Sequence, residues 1–294
     1  MLRGPRSVRV TRRYWWGEIE DDGACAPAPA DEAAALERLA ALETPMDRWV
    51  SADWKDAVAC GAVADRAAYL ARLHRLASRL AAARVAEAFR GPDIELAQMV
   101  RALDGLDEAI NLLTERAVEW YSTQDPGFTR KFSTLPSRKL VPLLAARAKG
   151  PLRPFLAEVE RLAEARAALA RDVTRVADRI LPNCAALVGG LVAARLLAAA
   201  GSLDSLARLP GSGLQVLGAR TALFSHIRSG TPPPKHGLIF QHRRVHGAPM
   251  AVRGRVARVL AARLAIAARI DRYRGEADLA FIEAANARID GVTA

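Results

Sequence analysis

Two segments of the chain carry apolar residues at alternating steps of three and four positions, which is the heptad pattern of a coiled-coil helix. The first covers residues 96–120, and the second covers residues 155–180 with Arg166 as its one polar interruption. Proline and glycine recur between them in residues 122–150, which predicts a connection with at most a short helix around residues 140–148. Two heptad helices joined by one connection predict an antiparallel hairpin, and their length favours a homodimer through this coiled coil.

A small N-terminal unit precedes the hairpin. Residues 8–19 predict a strand that carries the densest aromatic cluster of the chain, Tyr14-Trp15-Trp16. Helices are predicted over residues 31–42 and 65–89, where leucines recur at helical spacing. Aromatic rings serve in cores and in contact surfaces, so Tyr14, Trp15 and Trp16 form either the core of this unit or a partner-docking surface.

Capping residues and glycines indicate where helices begin and end. Asp31 is predicted to cap the first helix, Asp93 the first heptad helix after the interruption at Gly91-Pro92, and Ser202 a short helix further on. Residues 209–213, which contain one proline and two glycines, are predicted to form a turn.

Beyond Pro182 the helical pattern is apolar almost all round, which is typical of buried helices in a globular domain. A long helix is predicted over residues 253–273, and a final helix over residues 278–289. In the long helix, four apolar residues are predicted to face inward: Val256, Leu260, Leu264 and Ile270.

The predicted fold class is therefore mainly α, in three parts. Residues 1–90 form a small unit of helices with little strand, residues 91–180 form the coiled-coil hairpin, and residues 181–294 form an all-helical domain. A hydrophobic content of 51% is ample for folded cores in a chain of 294 residues.

Cysteine usage and apolar runs bear on the compartment. Cys25, Cys60 and Cys184 are odd in number, far apart and without a Cys-x-x-Cys pair, so we expect three reduced cysteines and no zinc ribbon. The N-terminal residues lack the apolar stretch of a secretory signal, and the longest apolar run, residues 185–194, is shorter than the about 20 residues that span a bilayer. These features predict a cytoplasmic protein without a membrane segment.

The charge of the chain is concentrated in one window. Residues 205–270 contain no Asp or Glu and hold 11 Lys and Arg, which equals the formal net charge of +11 for the whole chain. A solvated surface normally mixes both signs, and the rest of this chain does so. The window therefore predicts contact with a polyanion.

Within that window, residues 217–246 predict a helix that breaks at Ser229-Gly230, a rigid turn over residues 231–234 and an apolar patch, Leu238-Ile239-Phe240. RNA is favoured over DNA because the loop offers flat His, Gln and Arg groups for exposed bases rather than a recognition helix. Phe224 is expected to pack behind the loop. The predicted contact residues are Arg220, Arg228, Lys235, His236, Gln241, His242, Arg243 and Arg244, with Arg253, Arg255 and Arg258 as further phosphate ligands.

Catalytic and metal-binding motifs are weak. His242-x-x-x-His246 has the spacing of two ligands on one helix face, yet no acid accompanies it, and the surrounding cations repel a divalent ion. The chain has no Gly-x-Ser-x-Gly motif, and the glycines at 211, 213 and 218 fit neither a dinucleotide-binding nor a phosphate-binding loop. We expect no metal, no cofactor and no enzymatic activity of its own.

Several motifs in the acid-free window and beside it resemble the Nop-domain family, over roughly residues 181–275. They are Ala200-Gly201-Ser202-Leu203, Gln215-Val216-Leu217-Gly218-Ala219, Ala222-Leu223-Phe224, Pro233-Pro234-Lys235-His236-Gly237-Leu238-Ile239-Phe240 and Ala267-Ala268-Arg269-Ile270-Asp271. The segment from Asp107 to Tyr121 also resembles the first coiled-coil helix of that family. One departure is that Arg220-Thr221 stands where relatives commonly carry an acid followed by Lys.

The resemblance is to archaeal scaffolds of the box C/D ribonucleoprotein, and it implies a set of partners. The C-terminal domain would close over a kink-turn in the guide RNA together with a small ribosomal-like kink-turn-binding protein. The hairpin would form a homodimer, and the N-terminal unit would dock a fibrillarin-like methyltransferase, which uses S-adenosylmethionine for 2′-O-methylation of ribosomal or transfer RNA. The N-terminal unit is short for the family.

Two other functions stay open. A spliceosome-type Nop protein would bind the same RNA element without a methyltransferase. A coiled-coil adaptor could instead carry the basic domain for non-specific anchoring to RNA, with binding that ignores sequence and weakens steeply with salt.

Overall fold

The computed structural model describes residues 11–20, 23–28, 31–41, 53–128, 135 and 137–292. This part of the chain is mainly helical, with one three-stranded antiparallel sheet, which confirms the predicted fold class. The chain divides into two compact units, Met1–Arg90 and Gly91–Ala294.

The N-terminal unit combines a small sheet with three helices. Strands β1 (Thr11–Tyr14), β2 (Gly17–Glu20) and β3 (Cys25–Pro27) pair in that order, with Thr11 opposite Glu20 and Gly17 opposite Pro27. The predicted single strand is thus two strands joined at Trp15-Trp16, and residues 8–10 lie outside the described part. The helices are α1 (Glu32–Ala41), α2 (Trp54–Ala59) and α3 (Arg66–Ala88).

A disulfide bond joins two of these elements. Cys25 in β3 is bonded to Cys60, which follows the last residue of α2, and their Cα atoms lie 5.7 Å apart. The expectation that all three cysteines are reduced is therefore wrong for this pair, whereas Cys184 is free and buried. The pairing depends on a tertiary contact between residues 35 positions apart, and no spacing motif in the sequence predicts it.

The heptad segments form the predicted antiparallel hairpin. Helix α4 (Pro92–Ser122) packs along α6 (Leu152–Ile180), and α5 (Ser137–Ala145) packs against both. The apolar heptad positions of each helix form a seam, and Arg166 is the polar interruption of the second one. Arg166 donates two hydrogen bonds of 2.8 and 2.9 Å to the carboxylate of Asp107 on α4. An ion pair thus occupies the one seam position that lacks an apolar side chain.

Asp93 does not cap α4, contrary to the prediction. It lies in the first turn of that helix, and its carboxylate accepts a hydrogen bond of 2.8 Å from the backbone N–H of Leu203. Leu203 begins a short helix that Ser202 caps as predicted, because the Ser202 hydroxyl accepts a hydrogen bond from the N–H of Ser205. The hairpin thereby supplies one of the caps of a C-terminal helix.

The C-terminal helices pack around one long helix, α13 (Met250–Tyr273), whose Val256, Leu260 and Leu264 are buried while Ile270 is half-buried. The turn predicted over residues 209–213 is wrong, because Gly211 begins a helix. The glycine lets that helix approach α13 closely: an added Cβ would lie 3.1 Å from the Cα of Ala262. The elements are α7 (Pro182–Val188), α8 (Gly190–Ala200), α9 (Leu203–Arg208), α10 (Gly211–Val216), α11 (Arg220–Ser229), a 3₁₀ helix (Leu238–Gln241), α12 (Arg243–His246), α13 (Met250–Tyr273) and α14 (Leu279–Asp290).

One hydrophobic core joins the base of the hairpin to these helices. Leu96, Leu103 and Val173 of the hairpin share it with Leu197 and Leu260. Among the described residues no single helix has the length and apolar composition needed to cross a membrane; α7 and α8 reach it only as a pair, and they are bent by 119°.

Candidate nucleic-acid interface

Two glycines hold the candidate loop against the domain. The N–H of Gly237 donates to the carbonyl of Gln215, and the N–H of Leu238 donates to that of Leu217, each over 2.8 Å. A Cβ at position 237 would lie 2.0 Å from the Leu217 carbonyl oxygen, and Gly218 has a φ of +86° in the left-handed region. Only glycine fits either place, so the loop has a fixed base.

Helix α11 projects from this base without any buried side chain. The prediction that Phe224 packs behind the loop is wrong, since Phe224 is 72% exposed and Ile227, one turn away, is 73% exposed. Gly230 ends the helix in the left-handed conformation, with a φ of +65°. The ring Nδ1 of His226 lies 2.5 Å from the carbonyl oxygen of Thr231, which ties the helix end to the turn that follows.

An aromatic stack forms the centre of the loop. The ring of His236 stacks on Phe240 with centroids 4.4 Å apart, and His246 meets the same ring edge-on at 5.3 Å. The guanidinium of Arg253 lies 5.5 Å from the Phe240 centroid and donates to the carbonyls of His246 and Ala248. Arg253 therefore stabilises the loop, and its role as a phosphate ligand stays a prediction.

The adjacent arginines of α12 have different environments. Arg244 is half-buried; it forms an ion pair with Asp290 at 3.0 Å and donates to the side chain of Asn286 at 2.6 Å. The side chain of Arg243 is exposed and forms no ion pair or hydrogen bond with the described part of the chain. The charge of Arg244 is thus already paired with Asp290 of α14, and the RNA contact predicted for both arginines stays a prediction.

The two histidines of the predicted site are less basic than usual. Burial, followed by the nearby charge of Arg253, lowers the pKa of His236. Burial lowers the pKa of His242 as well, and the two arginines that follow it in sequence add to the effect. Both rings are therefore neutral at neutral pH, and they offer flat polar surface rather than charge.

The exposed cations form two sets. Arg220 and Arg228 lie at opposite ends of α11, about 12 Å apart along its axis. Arg255 and Arg258 are exposed one turn apart on α13, and the side chain of Lys235 runs past Gly254, the residue before Arg255. Within the described residues these five side chains form no ion pair, so their charge is available to a ligand.

Sequence reasoning missed one residue at this surface, Arg195 on α8. Its Nη1 donates to the Oε1 of Gln241 over 2.7 Å, and its Nη2 donates to Asp104 of α4 over 3.1 Å. Arg195 lies outside the acid-free window and in an apolar helix, so neither charge counting nor periodicity points to it.

The aromatic cluster of the N-terminal unit is buried. Tyr14, Trp15 and Trp16 are only 6%, 5% and 1% exposed, and the rings of Tyr14 and Trp16 stack with centroids 4.9 Å apart. The Trp15 indole donates to the hydroxyl of Tyr69. These rings form the core of the unit, so in this conformation they offer almost no surface for docking.

Comparisons with known proteins agree on one family. Residues 147–291 match the Nop family, described as "snoRNA binding domain, fibrillarin". The chain is 35% identical over 215 residues to an uncharacterized NOP5 family protein of Methanocaldococcus jannaschii, covering 61% of this chain and 52% of that protein. It is 31% identical over 222 residues to nucleolar protein 58 of Candida glabrata, covering 63% of this chain and 43% of that protein.

The chain thus spans about half the length of the curated relatives that it matches. A solved structure covers more of it: a chain in the crystal structure of a fibrillarin/Nop5p complex superposes with a TM-score of 0.52 at 28% identity. That match covers 96% of this chain and 100% of the other.

Proposed function

Because this chain is a Nop-domain protein, we propose that it serves as the RNA-binding scaffold of a box C/D ribonucleoprotein. The C-terminal helices bind a kink-turn guide RNA together with its small ribosomal-like protein, and the N-terminal unit docks a fibrillarin-like 2′-O-methyltransferase. The chain contributes no catalytic group. By holding the enzyme and the RNA in fixed relation, it raises the effective concentration of one for the other.

The observation that carries this proposal is the composition of α11. Leu223, Phe224 and Ile227 form an exposed apolar patch on a helix that has arginine at both ends. An RNA duplex alone presents phosphates and few apolar groups, so it would leave this patch uncovered. A ligand made of RNA and protein together matches both the charge and the apolar surface.

Docking of the methyltransferase is supported by the solved complex that contains fibrillarin, whose matched chain is covered completely. Since the cluster around Trp16 is buried, we assign the contact to exposed apolar side chains of the N-terminal unit. Leu70, Val85 and Phe89, on or just after α3, are 50%, 55% and 65% exposed.

Homodimerisation through the hairpin is part of the proposal. Most seam residues of α4 and α6 are buried or half-buried against each other, against α5 or against the C-terminal helices. Leu112 and Trp120 of α4 are nevertheless 52% and 41% exposed, which leaves apolar surface for a second hairpin. Light scattering at micromolar concentration should report a dimer, and a monomeric mass would remove this part of the proposal.

The decisive experiment is a gel shift on a kink-turn guide RNA at near-physiological salt, with and without the kink-turn-binding protein. We expect a shift that requires that protein and disappears when the kink-turn is replaced by a continuous duplex. Equal binding to any RNA, indifferent to the partner protein and steeply salt-dependent, would contradict the scaffold and leave a non-specific basic adaptor.

A further inference from the structure

Arg195 connects the hairpin to the candidate RNA-binding loop. Its side chain is 18% exposed and lies where α8 meets α4 and the end of the 3₁₀ helix. One terminal nitrogen of the guanidinium binds Gln241 at 2.7 Å, and the other binds Asp104 at 3.1 Å. Asp107 lies 3.8 Å from the same group and pairs with Arg166.

The chemistry of this contact determines the orientation of the Gln241 amide. A guanidinium has only donors, so the atom of Gln241 that faces it must be the carbonyl oxygen. The NH₂ group of Gln241 then points away from Arg195. Gln241 is exposed, and its NH₂ forms no hydrogen bond with the described part of the chain.

We propose that Arg195 is a positioning residue that presents Gln241 to the bound RNA as a hydrogen-bond donor. This inference rests on the proposed function and adds a specific contact to it. Gln241 lies next to His242 and Arg243 in the window without acids, where a polyanion is expected. Phosphate and base carbonyl oxygens of RNA are acceptors, so an amide fixed with NH₂ outward is complementary to them.

The two aspartates keep Arg195 in this role. Asp104 and Asp107 balance the charges of Arg195 and Arg166, so the cluster is neutral as a whole. A neutralised and half-buried guanidinium is a poor phosphate ligand, and one of its N–H donors goes to Gln241. Arg195 thereby links Gln241 to α4, the first helix of the hairpin, so the position of the Gln241 side chain depends on that helix.

The test is a double-mutant cycle on the affinity of the full chain for kink-turn guide RNA preassembled with its kink-turn-binding protein. Gln241→Met keeps the length of the side chain without donors or charge, and we expect about five- to tenfold weaker binding. Arg195→Lys keeps the positive charge but releases the amide, and we expect about threefold weaker binding. In the Gln241→Met background, Arg195→Lys should have no further effect.

Arg166→Lys is the matched control, because Arg166 binds Asp107, the aspartate that also lies 3.8 Å from Arg195, and its side-chain hydrogen bonds within the described residues go to Asp107 and not to Gln241. We expect it to bind RNA as the wild type does. Equal losses from Arg195→Lys with and without Gln241 would show a general structural role and overturn the proposal. In ¹⁵N-labelled protein without RNA, the side-chain NH₂ resonances of Gln241 should move in Arg195→Lys and stay in place in Arg166→Lys.

The outcomes separate this inference from the proposed function. Wild-type binding that ignores the kink-turn protein would overturn both. Partner-dependent binding that is unchanged by Gln241→Met would overturn the inference alone. A loss that also appears with the kink-turn-binding protein in the absence of RNA would assign the donor to that protein and overturn the RNA contact.

Discussion

The side-chain amide of Asn183 donates a hydrogen bond of 2.8 Å to the carboxylate of Asp271, and both residues are buried. The same carboxylate accepts from the backbone N–H groups of Asn183 and Cys184, at 2.9 and 3.0 Å, and so caps α7. The Asn183 side chain also donates a hydrogen bond to the carbonyl of Glu276 and accepts one from the N–H of Asp278. This network fixes the starts of α7 and α14 against α13, the helix that carries Arg255 and Arg258.

Asp271→Ala should destabilise the unit formed by residues 91–294 by about 3 to 5 kcal/mol, because it leaves several buried donors without an acceptor. Asp271→Asn should cost less, since its amide keeps one of the two oxygens. Urea unfolding followed by circular dichroism measures both. Equal stability of the Ala and Asn variants would contradict the capping role.

The neighbouring arginines of α12 should separate stability from binding. Arg244→Ala breaks the contacts with Asp290 and Asn286, so we expect a loss of about 1 kcal/mol and a melting temperature lower by a few degrees. Arg243→Ala should leave the melting temperature unchanged and weaken RNA binding, with a smaller salt dependence. The reverse pattern would show that the ion pair with Asp290 opens to bind RNA.

The apolar patch of α11 should matter for partner binding and not for folding. Phe224→Ala combined with Ile227→Ala removes two side chains that are more than 70% exposed, so the free energy of unfolding should change by less than about 0.5 kcal/mol. We expect loss of the shift that this chain produces on the kink-turn guide RNA in the presence of the kink-turn-binding protein. Leu279→Ala on α14, where the leucine is 76% exposed, is the control and should retain that shift.

Stability should fall in mild acid because of His236 and His242. In the unfolded chain both titrate near the ordinary pKa of about 6.5, whereas the folded state lowers both pKa values. The unfolded state therefore binds protons first as the pH falls, so the contribution is complete above about pH 6.5 and is lost below it. His236→Phe with His242→Gln should flatten the melting temperature between about pH 7.5 and 5.5; an unchanged slope would exclude these rings as the cause.

Reduction should destabilise the N-terminal unit. The Cys25–Cys60 bond closes a loop across 35 residues, for which chain entropy predicts a stabilisation of about 4 kcal/mol. Dithiothreitol should lower the melting temperature of the wild type and have no effect on Cys25→Ser with Cys60→Ser. Cys184→Ala should keep the sensitivity, because Cys184 takes no part in the bond.

Local patterns predicted much of this fold. Seam periodicity located α4 and α6, and the helix breaks at Gly91-Pro92 and Gly230 were visible because proline and glycine act on the backbone where they stand. The pairing of Arg244 with Asp290 was not predictable in the same way, since it joins residues 46 positions apart and depends on the packing of α14. The acid-free window identified the basic surface, but it could not tell which of its cations already have partners.

The hydrogen bond from Leu203 to Asp93 and the core that α4 shares with the C-terminal helices join the hairpin to the C-terminal helices. They therefore limit where the chain can be cut if the C-terminal helices are to be fused to another protein. A fragment cut at residue 181 would lose the aspartate that caps α9 and would expose the surface covered by Leu96 and Leu103. The smallest cassette that could be transplanted into another protein with its fold intact therefore begins at Gly91. A gene fusion that inherits the basic surface must inherit the hairpin as well.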